Sequence, residues 1–378
     1  MNTCYQINLM QGYGGGEVYT RFFTRALHEL GWRPVVYVHP AGPLRRRLEE
    51  DGVETIPARS FADVVPLLPQ ASSIIISHTP ALGSLTDSLA KHFWASFAHM
   101  PLTGRNPEPF RKPDRVLGVS RYVIQTLRAA GIERVWPEPM YGIADLVPRG
   151  TSGGKIIRHS EYDWDTRKFR DRLLGWLEPL AGMMRSPEEY IARPGLTLGI
   201  VSRLTPIKQF PAMFHRLAPV LLRHEAVNLE VFGNGGYRSV TDLKKALAPL
   251  GRRVRFWGHQ SDVAAIYRQL DCVMSGLPEK EALGLNLIEA QAAGTAVVAV
   301  NAPPFTETVK HGVTGWLYTD PREDRGEDFE RLIRRLLDGA QLDHGRAEEH
   351  LQQFSQTAFR QRVHDLMQAL ASGRQKNA

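Results

Sequence analysis

Short apolar runs recur along the chain, and most are followed by a turn residue and then by apolar positions at helical spacing. In the first half, Tyr5 to Met10, Pro34 to His39 and Ser73 to Ser77 read as strands, and an aromatic run, Phe93 to Phe97, leads to His99. Val18 to Leu30, closed by Gly31, reads as a helix. The second half repeats the alternation. Leu198 to Val201, Leu229 to Phe232, Val254 to Trp257, Leu270 to Met274 and Ala296 to Val300 read as strands, and Leu285 to Ala293 reads as a helix ended by Gly294. Strands that are apolar throughout are buried on both faces, so the pattern predicts α/β architecture with parallel sheets covered by helices. At 378 residues the chain can hold two such domains, each with its own core.

The alternation is interrupted after residue 150. Gly153-Gly154 and Pro194 bracket a stretch of weaker periodicity. The expected organisation is a first domain over 1-150, a bridge over 151-193, a second domain over 194-352, and a terminal helix within 353-378. That helix carries Phe359, Val363, Met367 and Leu370 at helical spacing. The aromatic and Met residues of the bridge, Trp164, Trp176 and Met183-Met184, can pack on either domain or line an acceptor surface.

Candidate chemistry concentrates near residue 285. Glu281 lies in a loop that follows a strand, where open α/β sheets bind ligands. Glu289 lies four residues after Leu285 and four before Ala293, on the stripe that should face protein, where a carboxylate needs a partner. The helix-start amides of Gly284, Leu285, Asn286 and Leu287 suit a phosphate. Taken alone, two acids near a helix start also read as charge complementing the helix dipole. Upstream, the strand ending at Val201 leads into Ser202-Arg203-Leu-Thr-Pro-Ile-Lys208, which offers a guanidinium fork and an ammonium point charge to an anion. Leu229-Glu-Val-Phe-Gly233-Asn-Gly235-Gly236 and Val254-Arg-Phe-Trp-Gly258-His259 each break from a strand into glycine.

These four elements, in this order, resemble the retaining, nucleotide-sugar-dependent glycosyltransferases of the GT-B fold, of the group 1 or family 4 type, whose signature is Glu-x7-Glu. The resemblance implies that Glu281 contacts the donor sugar and Glu289 the ribose. It implies that Arg203 and Lys208 grip the diphosphate, that Gly233 and His259 lie beside the nucleotide, and that Gly284, Leu285 and Asn286 meet the phosphates. Gln209 departs from the pattern, standing where the family commonly has Gly. In the first half, Gln11-Gly-Tyr-Gly-Gly15-Gly16-Glu17 lets backbone approach a ligand closely, and by resemblance Gly15 and Gly16 face the donor. His99 fits the family's sugar-contacting His better than His78 does, although a lone His at a strand end also reads as structural. Pro139-Met-Tyr-Gly142-Ile143-Ala-Asp145 departs from the family's Pro-Asn-Gly pattern and leaves the acceptor side open. Glu307, before the Gly312 to Gly315 turn, reads as structural.

The implied architecture is two Rossmann-like doubly wound domains facing a central cleft, with the last helix packed back on the first domain. The implied activity is metal-independent, retaining transfer of a hexosyl-type sugar from a nucleotide-sugar donor to a glycan or lipid-linked acceptor, in cell-envelope, polysaccharide or lipopolysaccharide biosynthesis. Glu281, His99, Arg203 and Lys208 form its catalytic set. No cofactor is expected, the nucleotide sugar being a substrate. Asp163-Trp-Asp165 looks like the metal-holding Asp-x-Asp of the GT-A architecture, but it stands outside a strand end, and Asp165 reads more simply as a helix N-cap.

Net charge is +7, yet residues 1 to 150 carry 16 basic and 13 acidic groups and no segment is a basic domain. No nucleic-acid partner is expected. Arg45-Arg-Arg47, and Lys91-His-Phe-Trp94 with Arg105, Arg111, Lys112 and Arg115, read first as solvated faces and second as an adhesion surface for anionic lipid. With two cysteines, Cys4 and Cys272, and no signal-like start, a cytoplasmic protein is expected, with peripheral contact to the inner face of the cell membrane as the resemblance suggests. A dinucleotide-dependent oxidoreductase fits poorly, because Glu17 stands where the fingerprint needs a third glycine. A non-catalytic GT-B binding module and a GT-B epimerase or phosphorylase stay open, as do the donor sugar, base and acceptor.

Overall fold

A computed structural model of the chain describes residues 2–81, 83–144, 155–164, 169, 171–173, 175–176, 188–343 and 346–377, without the side chains of 84 and 374–377. The chain divides into two compact units, Met1–Ile143 with Gln352–Ala378, and Ala144–Leu351.

Unit 1 holds β1 (Thr3–Asn8), β2 (Arg33–Val38), β3 (Glu54–Pro57), β4 (Ile74–Ser77), β5 (Phe93–Ala98) and β6 (Arg115–Gly118). They form a parallel sheet in the order β3-β2-β1-β4-β5-β6. Unit 2 holds β7 (Leu196–Val201), β8 (Val227–Phe232), β9 (Val254–Gly258), β10 (Cys272–Met274), β11 (Ala296–Val300) and β12 (Gly315–Tyr318). Their order is β12-β11-β10-β7-β8-β9, again all parallel. Both sheets therefore have one topology, and the strand order reverses between β1 and β4 and between β7 and β10. Ligands of such sheets bind at the carboxyl ends of those strands.

The expected α/β, doubly wound architecture is present. Ile74, Ile75 and Ile76 are all buried, as a central strand covered on both faces requires. The first strand runs two residues earlier than the pattern predicts, because the Met10 amide donates to Asn8 Oδ1 at 3.2 Å and turns the chain out of the sheet. β3 and β12 had no clear signal, being short, and β3 is only partly covered.

The terminal helix, Gln356–Asn377, belongs to unit 1. There Phe359, Val363, Leu366, Met367 and Leu370 are buried, and the Phe359 ring stands edge-on to Tyr19 at 5.6 Å. A buried side chain of this kind contributes roughly 1.5–3 kcal/mol.

The described parts of the 151-193 stretch lie in unit 2. Ile157 bridges to Glu189, the His159 amide donates to the Trp257 carbonyl at 3.0 Å, and the Asp163 amide donates to the Gly235 carbonyl at 2.8 Å. A side chain on Gly258 would strike the carbonyls of His159 and Ser160, which explains that glycine. Trp164 stacks on Tyr162 at 4.9 Å, and Tyr162 on Tyr237 at 5.7 Å, while Trp176 is exposed. Asp165, Met183 and Met184 lie outside the described residues, as does Asp145. Arg193 anchors the end of this stretch. Its Nη2 donates at 2.7 Å to Glu230, a fully buried carboxylate that also accepts from Arg255 Nε at 3.0 Å and Trp257 Nε1 at 2.7 Å. A charge this deep is tolerable because each oxygen is bonded.

Candidate functional site

In unit 2 the predicted residues gather at the carboxyl ends of β7 and β10. The 3-10 turn Pro206–Lys208 follows β7, and the Leu285–Ala292 helix follows β10 and its loop. Lys208 Nζ pairs with Glu281 Oε2, and both side chains are largely buried. Glu281 Oε1 accepts from the amides of Ala282 at 3.2 Å and Gly284 at 3.3 Å. Burial opposes the Glu281 charge, but the Lys208 ammonium and those two amides hold its carboxyl below its ordinary value of 4.5.

Three glycines let the loops meet. The Lys208 carbonyl fills the space that a side chain on Gly276 would take and accepts from the Leu277 amide at 3.1 Å. Side chains on Gly233 or Gly235 would strike the carbonyls of Ser202 and Leu204, so these glycines bring the β7 and β8 exit loops together. The same need accounts for Gly233 without a ligand. His259 and Arg203 are exposed, and Arg203 has no carboxylate partner among the described residues.

Gly284 caps the Leu285–Ala292 helix in the left-handed region at φ 81°, and a side chain there would press on the buried Phe305 ring. Asn286, in the first turn, has both amide atoms buried with no hydrogen-bond partner among the described residues. A buried amide without a partner at a helix start is a position at which a polar ligand group would find a hydrogen bond. Glu289 accepts from Tyr267 Oη at 2.9 Å. Tyr267 was missed in the sequence, where it is one more aromatic at the end of a short helix, Val263–Tyr267.

In unit 1 the Gly15–Glu29 helix follows β1, and Gly15 is exposed at its start. The Gly14 amide donates to Glu17 Oε2 at 2.8 Å, which explains an acid where a dinucleotide fingerprint would place glycine. Among the described residues, nothing beyond its chain neighbours and its own helix backbone lies within 4 Å of a side chain built on Gly16, so packing alone does not require glycine there. His99, just past β5, lies beside Phe97 at 5.4 Å and His78 at 5.6 Å, two rings that themselves stack at 5.0 Å, with Tyr19 edge-on at 5.1 Å. His78, set aside in the sequence, bonds His99 directly, at 3.3 Å.

Residues 191–360 match the model of the family "Glycosyl transferases group 1". That region is similar to the group 1 glycosyl transferases.

Among curated relatives, the D-inositol 3-phosphate glycosyltransferase of Actinosynnema mirum is 32% identical over 174 residues, 41% of this chain and 41% of that protein. The alpha-monoglucosyldiacylglycerol synthase of Streptococcus pneumoniae is 30% identical over 173 residues, 45% of this chain and 38% of that protein. The matches thus span about two fifths of these relatives' length. The fold of the whole chain is similar to that of Anabaena HepE, solved in complex with UDP and glucose, with a TM-score of 0.69 at 17% identity, over 98% of this chain and 100% of that one. The architecture is therefore GT-B.

Arg203, Lys208, Gly233, His259, Glu281, Gly284, Leu285, Asn286 and Glu289 all fall inside the group 1 region. The departure from the group 1 pattern at Gln209 also has a local account. Gln209 is left-handed at φ 54°, a conformation glycine adopts freely, and its Nε2 donates to Glu279 Oε2 at 2.8 Å. The basic-aromatic stretches are less available than the sequence suggests. Arg45 and Arg46 pair with Glu49 and Glu50 along their helix, and Trp94 is buried with its Nε1 donating to Ser77 Oγ at 2.9 Å. No helix among the described residues is long and apolar enough to cross a membrane.

Proposed function

We propose that the chain is a retaining glycosyltransferase that moves a sugar from a nucleotide-sugar donor to a glycan or lipid-linked acceptor in cell-envelope or polysaccharide biosynthesis. The observation that carries this reading is the Lys208–Glu281 pair beside the orphaned Asn286 amide, at the strand ends where the order of the unit 2 sheet reverses. The names of the relatives, which include a diacylglycerol glucosyl transfer enzyme and phosphatidyl-myo-inositol mannosyltransferases, favour a lipid-linked acceptor.

With no ligand, Lys208 and Glu281 neutralise each other. A donor diphosphate would draw Lys208 to its oxygens and free Glu281 to accept hydrogen bonds from sugar hydroxyls. As the donor's glycosidic C–O bond breaks, its electron pair passes to the phosphate oxygen. Arg203, Lys208 and the Gly284 to Leu287 amides would hold that growing charge. The acceptor hydroxyl would attack from the same face, its proton passing to the departing phosphate oxygen. Glu281 orients the sugar and forms no covalent bond. Gly15, Gly16 and His99 of unit 1 keep, within this proposal, the donor roles the resemblance gave them, and no metal is given a part.

Thermal-shift screening against UDP, GDP, ADP and their sugar conjugates, with and without Mg²⁺, tests the donor site. Stabilisation by one nucleotide family, indifferent to Mg²⁺ and lost in Lys208→Ala, is expected. A family of shifts that needs Mg²⁺ would overturn the metal-free reading, and no shift with any of them would favour a binding module. An inverted anomeric centre in the transfer product would remove the retaining mechanism, and release of free or phosphorylated sugar would point to an epimerase or phosphorylase.

A further inference from the structure

Beneath His99 runs a chain of buried polar side chains whose hydrogen-bond directions are fixed at its far end. Gln6 and Asn8, two positions apart on β1, face Thr20 and Thr24, four apart on the Gly15–Glu29 helix, and all four are buried. Thr24 Oγ1 donates its one proton to the Thr20 carbonyl at 2.7 Å. It can therefore only accept from Gln6, whose amide must turn Nε2 toward it, at 2.9 Å. This orientation leaves Gln6 Oε1 facing His78 Nε2 at 2.9 Å. A carbonyl oxygen accepts only, so His78 carries its proton on Nε2 and a lone pair on Nδ1. That lone pair faces His99 Nε2 at 3.3 Å, so His99 must carry its own proton on Nε2.

We infer that His78 is a positioning residue that holds His99 in the tautomer protonated at Nε2, leaving His99 Nδ1 as a lone-pair acceptor for a hydroxyl of the transferred sugar. The identity of the ligand rests on the glycosyltransferase reading; the tautomer does not. Burial pushes both rings down, His78 well below its ordinary range and His99 to about 4, so neither takes a second proton near neutrality. Among the described residues no hydrogen bond reaches His99 Nδ1, which keeps that acceptor for a ligand. A second branch ties the same relay to the glycine loop. Thr20 Oγ1 accepts from Asn8 Nδ2 at 2.8 Å and donates to the Gly16 carbonyl at 2.9 Å. The first turn of the helix and the imidazole pair are thus braced by one set of side chains.

The test is ring-nitrogen NMR of the full chain, labelled at histidine, near pH 7, with His99 assigned from a His99→Gln variant. Both rings are expected to carry the proton on Nε2; a His99 protonated at Nδ1 overturns the relay. Thr24→Val touches neither imidazole but frees the Gln6 amide to flip. It is expected to bring in a population of His99 protonated at Nδ1, a change that simple loss of packing would not produce. A Thr24→Val spectrum identical to the parent's overturns the relay as well, and if that variant fails to fold the parent spectrum still decides. With UDP-glucose or GDP-mannose at a concentration that raises the melting temperature, the Nδ1 resonance should move, and a fixed Nδ1 resonance with donor bound removes the sugar contact. A chain with the expected tautomers that transfers no sugar would remove the glycosyltransferase reading and leave the relay standing.

Discussion

The Lys208 carbonyl occupies the space beside Gly276 that any side chain there would need. Gly276→Ala must push apart the loops that follow β7 and β10, because the obstacle is backbone and not the end of a flexible side chain. Overpacking of this kind costs about 1–3 kcal/mol. Urea unfolding should show that loss, and nucleotide-induced stabilisation should fall with it. A variant with the parent's midpoint and nucleotide response would show that the loops can part without consequence.

Lys208 and Glu281 depend on each other. Lys208→Ala leaves a largely buried carboxylate unpaired and removes one charge-assisted bond worth roughly 1.5–3 kcal/mol, so transfer should drop at least ~10-fold. A double-mutant cycle with Lys208→Met and Glu281→Gln, read by unfolding, should give a coupling of about 0.5–3 kcal/mol. The pair has a defined pH signature. The folded Glu281 value lies below 4.5, so its stabilisation is present above that pH and is lost as pH falls through the folded value. Additive single effects would mean that the pair is incidental.

Glu289 and Tyr267 separate binding from stability. If Glu289 holds the ribose, Glu289→Gln weakens nucleotide affinity about 10-fold, from one charge-assisted bond. Tyr267→Phe removes only the 2.9 Å bond that steadies the carboxylate, costing ~0.5–1.5 kcal/mol of stability with a smaller effect on affinity. Calorimetric titration of both variants with the nucleotide found in the screen measures this. Equal losses would contradict the ribose assignment.

The imidazole pair predicts acid sensitivity at an unusually high pH. A neutral His99 with its value lowered to about 4 binds fewer protons than the unfolded chain, whose histidines titrate near ~6.5. Its stabilisation is complete above ~6.5 and is lost as pH falls toward about 4, amounting to about 2 kcal/mol by pH 5. His78 acts in the same direction. Chemical unfolding at pH 5, 6 and 7 should show the slope, and His99→Gln should flatten it without abolishing it. A parent protein equally stable at pH 5 and pH 7 would contradict the buried, neutral pair.

Much of this was legible from local pattern. Apolar runs located most of the strands, while β3 and β12, short and weakly patterned, escaped. Gln6 and Asn8 were visible as polar residues inside an apolar strand, and Thr20 and Thr24 as polar residues one helical turn apart. Nothing local said that they face each other. His78 and His99 were weighed as alternatives, yet they are bonded neighbours, because β4 and β5 are adjacent strands whose exits converge. The parts of the expected bridge that are described belong to unit 2, a placement decided by Glu230, Gly235 and Gly258, none of which lies in the bridge.

By itself the sequence determined the strand and helix rhythm, the two-domain architecture and the carboxylates of the Glu281 to Glu289 segment. Periodicity, glycine stops and short motifs are properties of neighbouring residues. Only the tertiary structure decided that Lys208, 73 positions away, neutralises Glu281, that Tyr267 holds Glu289, and that Thr24 reaches His99 through Gln6 and His78. Each of these contacts joins distant segments, and it exists because a parallel sheet brings the carboxyl ends of β1, β4 and β5, or of β7 and β10, to one edge, an order of strands that no single run of residues encodes.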